Sequence, residues 1–348
     1  MKKAILCVLF FTVWINLVYA DGVRAGTTFS KRQANYLELD WKATYLAIVD
    51  LDWDVIRLGA YWDEIEPQEG HYDFSDLDWQ IEQAKIRKIS IILTVGMKAP
   101  RWPEYFIPEW VYKKANLGKS RDISTNPVLR KYTLEFIKNV INHYKDESGV
   151  KYIQVENEAL NRYGGESWRL SREFLSEEVK LVRSLDSLKR PIILTTATYP
   201  NILLRFFTIL FTKGDYIGDN LALCDILGIN VYPVIGHKTF WFSHYISAHR
   251  QRRIERYNAI LRRAQGEDKE VWVTELQAEP WEPGELVHKE GQNAPSASPE
   301  MTKEYFADLK QQGFKTILLW GAEYWYYQKT RNDNNNWWAM AEQIIESN

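Results

Sequence analysis

Apolar and polar positions along this chain alternate in blocks. A short aliphatic or β-branched run is followed by a polar loop, and then by a segment whose apolar residues recur at helical spacing. The strand-like runs are GTTFS (26–30), DVIRLGAY (54–61), ISIILTVG (89–96), VKYIQVEN (150–157), RPIILTTAT (190–198), CDILGINVYP (224–233), KEVWVTEL (269–276) and KTILLWGAE (315–323). Helical periodicity falls between them, in DFSDLDWQIEQAKIRK, NPVLRKYTLEFIKNVINHYK, ESWRLSREFLSEEVKLVRSL and SHYISAHRQRRIERYNAILRRA. Several of these segments open on Ser, Asp or Asn, the residues that cap helix N-termini. Strands alternating with helices imply a parallel sheet, and continuously apolar strands imply a sheet covered on both faces. Eight such units over about 300 residues predict a closed (β/α)8 barrel, a TIM barrel, formed as a single domain by residues 21–348. The competing open, doubly wound sheet would want a Gly-rich phosphate turn after its first strand. The sequence there is GTTFSKRQ, which contains no GxGxxG.

In a (β/α)8 barrel the reactive groups gather at the C-terminal strand ends, and polar and aromatic residues do collect there. The second strand ends near Arg57 and Tyr61-Trp62, and the third runs into MKAPRWP with Trp102. The fourth ends in Glu156-Asn157-Glu158, the sixth in Asn230 and Tyr232, the seventh in Glu275, and the eighth in Trp320 with Glu323 nearby. The opposite ends carry Lys88, Lys151, Arg190 and Lys269, expected to be solvated. Glu158 and Glu275 are therefore expected to face each other across the barrel mouth. Hydrolysis of a glycosidic bond needs two such carboxyls, one protonated to assist the leaving group and one ionised to attack, ~5–5.5 Å apart in retaining enzymes. A lone strand-end glutamate could equally pair with a nearby Arg or Lys; two across one mouth favour catalysis.

Composition narrows the choice. Of the 348 residues 45% are hydrophobic and 26% charged, and the net charge of −2 offers no electrostatic footprint for nucleic acid. Aromatic residues make up 14% of the chain, including 15 Trp, more than a core requires and suited to stacking on sugar rings. The six His, at 71, 143, 237, 244, 249 and 288, form no HxH or HExxH, so neither a metal nor another cofactor is expected. His244 and His249 are expected on one solvent-facing helix. The N-terminus, MKKAILCVLFFTVWINLVYADG, has a basic start, an apolar stretch and small residues before position 21. It predicts a signal peptide over residues 1–20, cleavage after Ala20 and a secreted or periplasmic protein without stable membrane insertion. A retained anchor is the alternative. Cys224 lies in an apolar run and is expected to be buried.

At this level the chain resembles clan A glycoside hydrolases, through Asn157-Glu158 on the fourth strand, Tyr232 on the sixth, Glu275 on the seventh and Trp320 on the eighth. The segment from VIRLGAYWDEIEPQEGHYDFSDLD to TVGMKAPRWP is similar to the corresponding region of family 42-type β-galactosidases. The resemblance implies that Glu158 is the acid/base and Glu275 the nucleophile of a two-glutamate retaining mechanism on an oligo- or polysaccharide. The alternative is a sugar-binding barrel without catalysis. Arg57 and Tyr232 are expected to hold Glu275 ionised, and Asn157 to donate to the sugar 2-hydroxyl. Trp320 is expected as the platform beneath the cleaved sugar, unless it is only a buried barrel-top residue. Trp62, Trp102, Trp281 and Trp325 are looser candidates for flanking subsites. Arg57 could instead pair with Glu64 or Glu66. Glu156, one pleat deeper than Glu158, is expected to pair with a neighbouring cation or line the floor, and is the rival for the acid role. Glu279, four residues after Glu275, is expected to be structural, the alternative being support of the site or contact with an outer subsite. The apolar run 202–211 is expected to pack as core, with a partner surface or an interfacial membrane contact as the alternatives, and 199–222 and 276–299 are expected to form loops over the mouth.

Overall fold

The computed structural model describes residues 22–117, 121–161, 168–198, 216–239, 242–282 and 294–348. The strands are β1 (Arg24–Phe29), β2 (Val55–Gly59), β3 (Ser90–Val95), β4 (Val150–Val155), β5 (Ile192–Thr198), β6 (Ile226–Val231), β7 (Val234–Thr239), β8 (Phe242–Ser247), β9 (Glu270–Gln277) and β10 (Thr316–Trp320). Eight of them close into one barrel, in the order β1-β2-β3-β4-β5-β6-β9-β10 and back to β1, with every neighbouring pair parallel. Helices lie between successive strands, as the (β/α)8 reading requires. Each expected strand run coincides with a barrel strand to within a few residues.

Alternation along the strands divides the apolar residues into two cores. Side chains such as Ile56, Leu58, Leu93, Ile153, Val155, Leu227, Ile229, Val273, Ile317 and Leu319 pack outward into the large cluster shared with the helices. Val55, Ile92, Ile193, Ile226, Trp272 and Leu318 form a separate cluster with Tyr152. These are the inward positions, and they plug the barrel. Two residues further along the same strands stand Arg57, Gln154, Thr195, Gly228 and Thr274, so the next layer is polar. Gly228 is required by crowding: a Cβ there would lie 2.8 Å from the side chains of both Thr195 and Thr274. Two of the four expected helices carry side-chain N-caps, whereas those beginning at Ser75 and Arg250 do not. The Asn126 side chain accepts from the amides of Val128 and Leu129 at 3.0 Å each, opening helix Pro127–Tyr144, and Ser171 caps Arg172–Leu185.

Three expectations are corrected. The stretch beginning SHYIS is not the start of a long helix: β7 and β8 pair as an antiparallel hairpin, and the helix begins only at Arg250. Its β-branched and aromatic composition prevails over apparent helical spacing. His244 thus lies on a strand and His249 at the helix N-cap, not on one helix face. Arg190 is buried, bonded through Nε and Nη2 to Asp186 at 2.9 and 2.6 Å, because Asp186 closes the preceding helix beside it. Cys224 is buried, as expected. Residues 1–20 and 202–211 lie outside the described residues. Of the expected mouth loops, 216–221 forms a short helix and 283–293 lies outside the described residues. Among the described residues no helix is long and apolar enough to cross a membrane.

Candidate active site

The polar layer above the apolar plug is organised by Arg57, whose guanidinium is fully buried. It donates from Nε to Thr28 Oγ1 (3.0 Å), from Nη1 to Gln154 Oε1 (3.2 Å) and from Nη2 to Glu275 Oε1 (2.7 Å). Of the two expected outcomes, Arg57 thus takes the pair with Glu275; Glu66 instead accepts from Trp62. The second oxygen of Glu275 accepts the Tyr232 hydroxyl at 2.6 Å. Burial and the Glu275 charge push the Tyr232 phenol well above its ordinary range, so it stays a donor. Glu275 reaches this position through a bulge. Ile229 pairs with Val273, but its neighbour Asn230 pairs with Glu275, so Thr274 is the extra residue. Bulges re-aim side chains beside active sites. Here the bulge turns Glu275 inward, away from the outward parity of Val273.

Glu158 arrives from the opposite wall. Beyond β4 the chain passes through left-handed backbone at Glu156 (φ 58°) and Glu158 (φ 49°), which folds the strand end over the mouth. The Glu158 amide donates to Thr195 Oγ1 at 2.8 Å, and the ammonium of Lys98 donates to its carbonyl at 3.0 Å while pairing with Glu104 at 3.1 Å. The Glu158 carboxyl receives Asn230 Nδ2 at 2.6 Å, and Asn230 is itself oriented by Thr274 Oγ1 at 2.7 Å. Burial, and then the negative charge of Glu275, push the Glu158 carboxyl up to about 8. A group so placed carries a proton at neutral pH.

Asn157 stands between these groups. Its Oδ1 accepts from Gln154 Nε2 (3.1 Å) and Thr195 Oγ1 (3.2 Å), which leaves its NH2 as the end able to serve a ligand. Trp320 is buried, with the guanidinium of Arg101 4.1 Å and that of Arg57 5.8 Å from its ring centroid. Arg101 forms ion pairs of 2.5 Å with both Glu279 and Glu323. Glu279 is therefore part of a charged cluster on the rim. Trp281 is 49% exposed and meets the Tyr232 ring edge-on at 5.5 Å, and Trp102 is 56% exposed on the loop after β3.

Two expected sugar-stacking residues are not available for that role. Trp62 is fully buried, stacked on Phe136 at 5.2 Å with its indole N–H on Glu66 Oε2 at 2.8 Å. Trp325 is fully buried and donates to the Ala278 carbonyl at 2.6 Å. The turn after β2 and the helix after β10 each fold their tryptophan into the core. Glu156 does not pair with a cation. Its two oxygens accept the backbone amides of Met97 (2.9 Å) and Lys98 (2.6 Å). Sequence reasoning missed Gln154, Thr195, Lys98 and the partnership of Asn230 with Glu158. The available signal was polar residues at inward strand positions, such as Gln154 two residues after Tyr152. Among the described residues no group of three or more His, Cys, Asp or Glu is placed to hold a metal ion.

The closed barrel defines the fold class, a (β/α)8 TIM barrel, and comparison with known proteins shows the chain to be similar to TIM-barrel glycoside hydrolases of the clan A type. Within that class, residues 35–188 match the model of glycoside hydrolase family 42, described as Beta-galactosidase. A curated relative, Beta-galactosidase BbgII of Bifidobacterium bifidum, is 26% identical over 145 residues, covering 38% of this chain and 21% of that protein. The chain thus aligns with about a fifth of that relative's length. Among solved structures, the β-galactosidase of Halorubrum lacusprofundi superposes with a TM-score of 0.62 at 14% identity, over 93% of this chain and 57% of that one. An endo-β-1,4-xylanase from Gloeophyllum trabeum gives 0.58 at 15% identity, over 94% and 97%. At such identities the superpositions establish the fold.

Proposed function

We propose that this protein is a retaining β-glycosidase in which Glu275 is the nucleophile and Glu158 the acid/base. The observation that carries this reading is the unequal treatment of two buried glutamates. Glu275 accepts a guanidinium and a phenol, one on each oxygen, an arrangement that favours a carboxylate. Among the described residues Glu158 has one side-chain donor, Asn230, and it sits in the field of that carboxylate. In the first step Glu275 attacks the anomeric carbon while Glu158 passes its proton to the glycosidic oxygen, and the aglycone leaves as an alcohol. Esterification then removes the charge of Glu275 and with it one of the causes holding the Glu158 carboxyl up. Glu158 becomes a better base as the second step requires. It takes a proton from water, the oxygen attacks the anomeric carbon, and Glu275 is released as carboxylate. The Asn157 NH2 is suited to the 2-hydroxyl of the bound sugar, Trp320 to its apolar face, and Glu279 to a rim hydroxyl. Trp281 and Trp102 are suited to sugars further out.

The curated relative and one of the two named structural neighbours are β-galactosidases, so a terminal β-galactoside is the first substrate to try, followed by a wider glycan panel. Glu275→Gln should lower turnover of an aryl β-glycoside by orders of magnitude. Glu158→Ala should be rescued by azide, with the β-glycosyl azide as product. NMR of the first-formed sugar should show retained configuration; net inversion would exclude Glu275 as nucleophile. Failure of the wild type to turn over any glycan that it binds would favour the binding-barrel reading. We also propose that residues 1–20 direct export, which N-terminal sequencing of the exported protein tests.

A further inference from the structure

Glu178 lies in the middle of helix Arg172–Leu185, behind β4, and is fully buried. Among the described residues neither of its carboxyl oxygens meets an N–H or O–H donor. The charged group that acts on it most strongly is another carboxyl, that of Glu156. Two buried carboxylates cannot stand together ionised, and a shared proton removes both the repulsion and the unsatisfied oxygens. The proton's place follows from the other contacts. Each oxygen of Glu156 already accepts a backbone amide from the loop after β3, contacts that favour its ionised form. The fit is close: a Cβ on Gly96 would lie 2.2 Å from Glu156 Oε1. Glu178 therefore holds the proton and donates it.

We propose that Glu156 and Glu178 are positioning residues joined by one shared proton, a clasp that ties helix Arg172–Leu185 to the strand-end turn and so sets the direction of Glu158. The part concerning Glu158 rests on its proposed acid role. The clasp sits directly beneath the turn. Glu156 occupies the first of its two left-handed positions, its carbonyl accepts from Gln154 Nε2 at 3.0 Å, and Asn157 and Glu158 follow. The surrounding charges do not replace the proton. The Lys98 ammonium, on the β3 side, attracts Glu156 but is engaged by Glu104 and the Glu158 carbonyl, and the buried Tyr105 hydroxyl stays neutral beside it. On the helix side Arg130 is paired with Glu177. Burial, then the Glu156 charge, raise the Glu178 carboxyl well above its ordinary range. The fold consequently binds a proton that the unfolded chain releases above a pH of about 4.3. Stability should then fall with rising pH from there to the folded-state value, by up to about tenfold in the folding constant per pH unit.

Glu178→Gln keeps a neutral donor for Glu156 without needing that proton. Melting temperatures of the whole protein, wild type and variant, are compared from pH 5 to 9. The expected result is a variant whose advantage over wild type grows with pH; parallel curves would overturn the shared proton. The second arm uses Glu178→Leu with two aryl glycosides, one with a poor leaving group and one with a dinitrophenolate that needs no acid. General acid assistance accounts for about 10²–10⁴-fold. A mis-set Glu158 should therefore lower kcat/KM, which reports the first step, at least about tenfold on the first substrate and much less on the second. Glu178→Gln should restore most of the loss. Equal losses on both substrates would overturn the positioning role. A wild type inactive on every glycoside would defeat the proposed function instead, and the melting curves would still decide whether the proton is shared.

Discussion

Among the described residues Asn230 makes the one side-chain hydrogen bond that favours the ionised form of Glu158, so Asn230→Ala tests the acid assignment directly. A hydrogen bond to a charged group is worth about 1.5–3 kcal/mol. At about 1.36 kcal/mol per pKa unit, its complete loss corresponds to roughly 1–2 units. Alanine opens room for water, which restores part of the bond, so the lower end applies. The sign follows from which form is lost: removing a donor to the carboxylate favours the protonated acid. In wild type the basic limb of kcat/KM should lie near pH 8, where Glu158 loses its proton. In the variant it should move upward by about one unit. The second step should suffer in the opposite sense, because the same group must be ionised to activate water. An aryl glycoside with a good leaving group should then show a burst followed by slower turnover. The measurement is a pH–rate profile from pH 5 to 10 with pre-steady-state kinetics at pH 7. A basic limb that stays in place or moves down would refute the assignment. A melting curve serves as control, because Thr274 also loses its acceptor.

Other perturbations address other parts of the site. Arg57→Met removes one partner of a buried ion pair and should cost about 3–5 kcal/mol in denaturant unfolding, with kcat reduced more than KM; a variant of wild-type stability and rate would contradict the central role of Arg57. Gly96→Ala combines a φ of 119° with a clash against the Glu156 carboxyl, so it should lower stability by roughly 2–4 kcal/mol. Recovery of wild-type stability there would mean that the loop does not depend on Glu156. Trp281→Ala should raise KM for oligosaccharides by about two- to tenfold, the equivalent of ~0.5–1.5 kcal/mol of ring contact, and by less for an aryl monoglycoside. Equal changes on both would remove Trp281 from the outer subsites.

The barrel and the placement of Glu158 and Glu275 at its mouth were legible because each rests on a local pattern. Apolar runs at regular spacing require a buried parallel sheet, and residues at strand C-termini must lie on one face of a closed barrel whatever the details. Glu158 and Glu275 could therefore be named without knowing any contact. Tryptophan was a poorer guide, since a large ring at a strand end satisfies itself equally in the core or in a groove. Trp62 and Trp325 went to the core, whereas Trp102 and Trp281 stayed exposed. The SHYIS segment misled for a similar reason, because short apolar spacing fits a strand as readily as a helix.

By itself, then, the sequence determined the kind of fold, the order of its strands and which carboxylates stand at the mouth, because periodicity and position within a repeat carry that information. Only the tertiary structure decided what surrounds each carboxylate. The bulge at Thr274 reverses the side of the sheet that Glu275 faces, a one-residue change that alternation cannot reveal. The left-handed residue 156 sets its carboxylate against amides of another loop, a contact that no local pattern announces. Proton affinity depends on burial and on the charges nearby. Those are set by residues distant in sequence: Arg57 lies 218 positions from Glu275, and Asn230 lies 72 from Glu158.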